Sequence, residues 1–243
     1  MTVVARGVMA QYGRMAQART GRTGDQNGGR TGYHHGDLAN ALADAATDMA
    51  RDGGPGAVVL RAAARRAGVS AAAAYRHFAD HGDLLQAVKQ RALAALTAAM
   101  QAGLETGTAR ADPALEAVRK IRLLGAAYID FALADPGLFR TAFCRPDGED
   151  AGVPTRIAAS RPCQLLTSVL DELAGCGLLA PDRRPLTEIA TWSAVHGLAT
   201  LLIDGPLAWL PPDERARSIQ RTLDVVIDGI TAQARTHAGA DPG

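Results

Sequence analysis

The chain has 243 residues, of which 47% are hydrophobic and 4% aromatic, and its formal net charge is +1. Three cysteines without C-x-x-C spacing argue against a disulfide scaffold or a structural zinc site, and no apolar run reaches the ~20 residues of a membrane helix. The N-terminus lacks the apolar core of a signal peptide, so we expect a cytoplasmic protein.

Positive charge is concentrated in the N-terminal third of the chain. Residues 1–80 hold ten Lys and Arg against six Asp and Glu, whereas residues 81–243 hold sixteen against nineteen. Residues 1–32 are rich in Gly, Arg, Thr and Gln, which predicts a flexible basic tail. This tail is either a solvated extension, which we favour, or an arm whose Arg22 or Arg30 contacts phosphates or a minor groove.

Helical periodicity begins near Tyr33. Apolar residues recur at helical spacing from Leu38 to Met49, and a glycine-rich cluster over 53–56 then stops this first helix. The cluster lacks the lysine and the spacing of a phosphate-binding loop, so we interpret it as a turn.

Residues 59–78, VLRAAARRAGVSAAAAYRHF, have the pattern of a helix-turn-helix. Gly68 can end the first helix in the left-handed conformation, Val69 would enter the core, and Ser70 can cap the second helix. That second helix, over 71–78, would lie in a DNA major groove. Four arginines and one histidine without any acid make nucleic acid the predicted partner.

Every long segment beyond this motif has helical periodicity. A fourth helix starts around 81–83 and runs to about Leu104, and residues 103–113 form a junction between domains. An apolar stripe then ends at Asp135, which can cap a new short helix opened by Pro136. Later helices are predicted over 155–175, over 186–203, which is apolar nearly all round and should be buried, and over 218–234.

Four segments together resemble the TetR/AcrR family of transcriptional regulators. AGVSAAAAYRHF at 67–78, followed by DLL, is similar to the family's DNA-binding motif, and GYHHGDL at 32–38 resembles the entry to its first helix. WSAVHG at 192–197 and YIDFALADPGLFRTAF at 128–143 resemble the C-terminal domain of one subgroup, called the WHG domain.

The resemblance implies an all-α fold with an N-terminal three-helix helix-turn-helix DNA-binding domain and a C-terminal helical bundle for ligand binding and dimerisation. After the tail at 1–32, we expect the DNA-binding domain over 33–82, a connector helix over 83–110 and the regulatory domain over 111–236. The resemblance to the family also implies a homodimer, which is most often a repressor. Its two recognition helices would enter successive major grooves of a palindromic operator. A small molecule in the bundle would release the DNA.

The resemblance also assigns DNA contacts. Arg61 would read a base, with Arg76 as a second base or phosphate candidate, and Ser70 would contact phosphate. Four alanines, Ala71, Ala72, Ala73 and Ala74, replace the usual polar residues, so readout should depend on thymine methyl groups, on Arg61 and in part on DNA shape. Tyr75 and His77 would contact the phosphate backbone of the DNA. His81 is the last candidate. It replaces a lysine that is common in the family at the N-terminus of the fourth helix, where an anion can still bind.

Few polar side chains stand among the apolar residues of the C-terminal half. We take Tyr128, Phe131, Trp192 and His196 as ligand-binding candidates, and the pattern suits an apolar or amphipathic ligand. His34 and His35 lack a third metal ligand at convincing spacing, so we predict no metal site and no cofactor.

Two alternatives stay open. A helical adaptor without DNA binding would explain the alanine-rich recognition helix. An all-α enzyme would use His196 with Asp204 or Glu188 as acid–base partner, but no nucleophile, metal triad or cofactor loop accompanies them. We therefore favour a regulator without enzymatic activity.

Overall fold

A computed structural model describes residues 35–144 and 159–232 of the chain, with side chains from Leu38 onward. The predicted tail and His34 lie outside these residues. Within them the chain forms helices and no strand, which confirms the all-α prediction. The helices are α1 (His35–Gly53), α2 (Leu60–Arg66), α3 (Ala71–Tyr75), α4 (His81–Leu104), α5 (Pro113–Ala134), α6 (Pro136–Phe143), α7 (Arg161–Gly175), α8 (Thr187–Ile203) and α9 (Pro212–Thr231).

Short-range sequence signals set several of these helix ends. Asp112 caps α5 by accepting a hydrogen bond from the backbone N–H of Ala114, and Pro113 occupies the first helical position. Asp135 accepts from the N–H of Leu138 and so caps α6, as predicted. Single-turn 3₁₀ helices occupy two of the connections, Pro55–Ala57 and Pro206–Trp209.

Three helices differ from their predicted bounds. The recognition helix α3 ends at Tyr75 rather than at residue 78. The last helix begins at Pro212, six residues before the predicted start, because proline fits the first position and two acids follow in the first turn. The described part of α7 begins at Arg161.

The expectation that the apolar helix α8 is buried holds for one face of the helix only. Ile189 is 54% exposed and Leu201 is 43% exposed, although Val195, Leu198 and Leu202 of the same helix are buried. One face of α8 therefore packs in the core and another face, apolar but uncovered, meets solvent.

Two hydrophobic cores are connected through α4 and α6. Leu84 and Val88 of α4 pack with α1 and α2, whereas Leu96 and Met100, further along α4, pack with α5, α7 and α8. No helix in the described residues is long and apolar enough to cross a membrane.

Candidate DNA interface and ligand pocket

The turn between α2 and α3 has the geometry that its sequence predicts. Gly68 has a φ of 71°, the left-handed conformation that costs glycine least. The backbone N–H of Val69 donates to the carbonyl oxygen of Ala64 at 3.0 Å, and that of Gly68 donates to Arg65 at 3.2 Å. This pair of hydrogen bonds is a Schellman motif, and it sets the direction in which α3 leaves the turn.

Helix α3 presents one face to the core and another to solvent. Ser70 caps it by accepting a hydrogen bond from the N–H of Ala73 at 3.1 Å. Ala74 is completely buried, whereas Ala72 is exposed and Ala71 and Ala73 are half-buried. The surface formed by Ala71, Ala72 and Ala73 is thus flat, because only methyl groups project from it.

Exposed cations flank this flat face. Arg61 on α2 and Arg76 after α3 are exposed and have no acidic partner within residues 35–144 and 159–232. Arg66 differs, because its guanidinium lies 3.5 Å from Asp52. Tyr75 is 46% exposed and His77 is half-buried. The surface therefore offers positive charge and hydrogen-bond donors beside the alanines.

The start of α4 suits a phosphate less well than expected. Asp80 accepts from the N–H of Asp83 at 2.9 Å, and the Asp83 carboxylate accepts from the N–H of Ala79 at 3.1 Å. These two carboxylates already satisfy donors at the helix N-terminus and place negative charge there. His81 is exposed at the first helical position and lies between Asp80 and Asp83 in the sequence.

In the C-terminal domain the structure brings three of the predicted ligand residues into one hydrogen-bonded group. Trp192 Nε1 donates to the Tyr128 hydroxyl at 3.0 Å, and the same hydroxyl lies 2.8 Å from His196 Nδ1. Since the indole only donates, the phenol oxygen accepts from it, and the phenol donates to His196 Nδ1 in the tautomer that carries its proton on Nε2. Burial raises the pKa of Tyr128 and lowers the pKa of His196, so both groups are neutral.

Two phenylalanines of α6 complete an aromatic cluster around His196. The ring centroids of Phe139 and Phe143 lie 5.3 Å and 4.8 Å from that of His196, and Phe139 meets Tyr128 edge-to-face at 5.5 Å. Sequence reasoning did not single out either residue as functional. Their spacing of four residues, which places both on one face of a helix, was the available signal.

A cleft lined in part by Tyr128 has a cavity volume of about 50 Å³, or about 560 Å³ when the open space around it is included. Tyr128 and Trp192 line it, whereas His196 holds the Tyr128 hydroxyl without lining the cleft itself. Phe131 does not line it and packs between the two cores. The other lining residues are Met100, Ile121, Leu124, Gly125, Pro162, Cys163, Leu166, Thr191, Val195, Leu223, Val226 and Ile227.

Helix α6 joins this aromatic cluster to the DNA-binding domain. Phe139 and Phe143 belong to the cluster, while Leu138 and Ala142 are buried in the core formed by α1, α2 and α4. Arg51 at the end of α1 donates to Asp135 at 3.1 Å. A displacement of α6 would therefore act on both cores.

The acids considered for an enzymatic role have other partners. Arg140 donates to Asp204 at 2.9 Å, and Arg184 donates to Glu188 at 2.7 Å. His196 is hydrogen-bonded to a phenol instead, so the proposed acid–base pairs are not formed. The residues that the structure describes contain no group of three or more potential metal ligands.

Two family models match the chain. Residues 42–88 match the model described as bacterial regulatory proteins of the tetR family, and residues 121–226 match a tetracyclin repressor-like C-terminal domain. Together the two segments cover more than half of the chain. No curated protein matches it.

Solved structures share the fold over most of the chain. A protein with unknown function from Rhodococcus sp. RHA1 is 28% identical, with a TM-score of 0.66, and the match covers 83% of this chain and 100% of that one. A putative tetR family transcription regulator from Shewanella sp. PV-4 is 17% identical, with a TM-score of 0.58, and the match covers 79% of this chain and 97% of that one. A TetR variant from Acinetobacter baumannii AYE, in complex with minocycline, is 18% identical, with a TM-score of 0.52, and the match covers 81% of this chain and 96% of that one.

Proposed function

This chain belongs to the TetR family of bacterial transcription regulators, and we propose that it is a sequence-specific repressor released from its operator by a small molecule. The observation that supports this most directly is the outward face of α3, which is flat and flanked by exposed arginines. Such a protein works on chromosomal DNA, so we expect it in the cytoplasm.

In the proposed complex α3 lies in the major groove. Arg61 pairs with a guanine edge, Ala71, Ala72 and Ala73 contact thymine methyl groups, and Ser70 lies against a phosphate. Further phosphate contacts come from Tyr75, Arg76 and His77, and His81 contributes least because Asp80 and Asp83 flank it.

The active form is proposed to be a homodimer. Ile189 and Leu201 on α8 and Val225 on α9 are exposed, and no charged residue lies between Ile189 and Ile203. Two helices per subunit with exposed apolar residues suit a four-helix dimer interface between two copies of the chain. Two recognition helices would then read half-sites of a palindrome ~34–36 Å apart.

The cleft beside Tyr128 is the proposed effector site, for an apolar or amphipathic molecule. A structural relative, the TetR variant from Acinetobacter baumannii, was solved with minocycline, which supports a small-molecule site in this fold. The Trp192–His196–Gly197 segment also leads us to propose that the C-terminal domain is of the WHG type. An occupant that displaces Tyr128 would press on Phe139 and Phe143, and α6 would pass the movement to α1.

Binding to the promoter DNA beside the protein's own gene tests this function. Full-length protein should retard that fragment in a gel-shift assay, and the Arg61→Ala/Tyr75→Phe double variant should not, with its helical circular dichroism unchanged. Arg110→Ala, which removes an exposed arginine between α4 and α5, is the matched control. Equal binding by the double variant would refute the assigned DNA contacts, and no binding by any form would favour the helical adaptor.

A further inference from the structure

We propose that the effector is an uncharged molecule with an apolar body and one neutral hydrogen-bonding group, which is received by the hydroxyl of Thr191. This inference rests on the proposed function, because it takes the cleft beside Tyr128 as the effector site.

Among the residues that the structure describes, those that line the cleft include no Asp, Glu, Lys or Arg. Burial raises the pKa of the Cys163 thiol, which lines the cleft, and the charge of Glu188 adds to that shift. Glu188 is already bound to Arg184 at 2.7 Å. A carboxylate or ammonium group inside the cleft would therefore lose water without gaining an opposite charge, which is strongly unfavourable.

Most polar atoms of the lining are already engaged. The Tyr128 hydroxyl and the Trp192 indole N–H bond to each other, and Tyr128 also bonds to His196. The Cys163 thiol is hydrogen-bonded to Thr167. These contacts leave the lining with little capacity to bind a polar molecule.

Thr191 is the exception. It is 6% exposed and lines the cleft, and its hydroxyl forms no hydrogen bond to any residue in the described ranges. A hydroxyl at the wall of the cleft can both donate and accept, so a ligand atom of either kind can form a hydrogen bond with it. Thr191 is thus the place where one neutral polar group, such as an alcohol or a ketone, is recognised.

A matched ligand series tests the charge requirement. The probes are methylcyclohexane, cyclohexanemethanol, cyclohexanecarboxylate and cyclohexylmethylammonium, which share one ring and differ in the polar group. Full-length protein carrying Trp209→Phe keeps Trp192 as its single tryptophan, so its emission and calorimetry both report on the cleft. The alcohol should bind, and both ions should bind about 100-fold more weakly or not at all.

A second variant tests Thr191 itself. Thr191→Val keeps the shape and removes the hydroxyl, so affinity for cyclohexanemethanol should fall roughly 2- to 10-fold while affinity for methylcyclohexane is retained. Thr200→Val, which changes an exposed threonine of the same helix, is the control and should alter neither affinity.

Three results would overturn the inference: an ion that binds as tightly as the alcohol, no binding by any probe, or an unchanged alcohol affinity in Thr191→Val. A different result would count against the proposed function alone. If the alcohol binds through Thr191 but, at saturation, leaves operator binding unchanged, the assigned ligand class stands and the effector role of the cleft does not.

Discussion

Gly137 at the start of α6 lies directly against the backbone of Arg51 at the end of α1. A Cβ atom on Gly137 would come within 2.3 Å of the carbonyl oxygen of Arg51 and equally close to that of Ala50. Backbone atoms on both sides cannot rotate away as a side chain can. The contact therefore packs α6 of the C-terminal domain tightly against the first helix of the DNA-binding domain.

We expect Gly137→Ala to be destabilising although alanine is the better helix former. The added methyl group must displace α1 or α6, an overpacking strain that typically costs about 1–3 kcal/mol. Urea unfolding of the purified protein measures this loss. Gly175→Ala is the control, because its Cβ would meet nothing within 4 Å and should be tolerated. Equal stability of Gly137→Ala and the unmodified protein would show that this junction yields easily.

Local signals in the sequence predict the turn and the helix caps well. Gly68, Ser70 and Asp135 act through hydrogen bonds to residues within five positions, so their effects depend little on the rest of the fold. The Tyr128, Trp192 and His196 group could be anticipated as a set of polar residues in an apolar domain. Their mutual hydrogen bonds could not, since they join residues 64 and 68 positions apart.

Features that depend on tertiary contacts were missed or misjudged. Phe139 and Phe143 reach His196 only because α6 turns back at Asp135 toward α8. The exposed Ile189 and Leu201 follow from which face of α8 meets α5 and α9, and a helix that is apolar all round carries no signal for that choice. Phe131 similarly packs between the two cores rather than in the cleft.

Tyr128→Phe should destabilise the protein by about 1–3 kcal/mol, because it leaves the Trp192 N–H and His196 Nδ1 without their shared partner. The ring and its contact with Phe139 are kept, so the loss reports the hydroxyl alone. Urea unfolding, followed by tryptophan emission, gives the value. A matched Tyr75→Phe variant removes an exposed hydroxyl and should leave stability unchanged. Comparable stability of the two variants would mean that the hydrogen-bonded group contributes little.

Stability should fall as the solution becomes mildly acidic, in part through His196. Burial holds the pKa of His196 below the ordinary value of 6.5 that applies in the unfolded chain. Below that pH the unfolded state binds the proton first, so the free energy of unfolding decreases until the folded-state pKa is passed. Above it the ring is neutral in both states and contributes no pH dependence.

His196→Asn isolates this effect, because the asparagine oxygen can still accept from Tyr128 but does not titrate. Free energies of unfolding are compared between about pH 8 and about pH 5.5, where the unmodified protein should lose more stability than the variant. The other histidines are common to both proteins and cancel in the difference. Parallel curves over this range would contradict the assignment.

Arg61→Lys should lower specificity more than it lowers affinity for unrelated DNA. Lysine keeps the positive charge but cannot form the paired hydrogen bonds of a guanidinium with guanine, so discrimination at one base pair of each half-site should fall by about 1–3 kcal/mol. Because the charge is retained, binding to non-specific DNA and its salt dependence should stay nearly constant. Anisotropy titrations with operator and scrambled duplexes measure the specific and the non-specific affinity. Arg65→Lys, on the same helix, is the control, and an identical loss of discrimination in both variants would assign base reading to another residue.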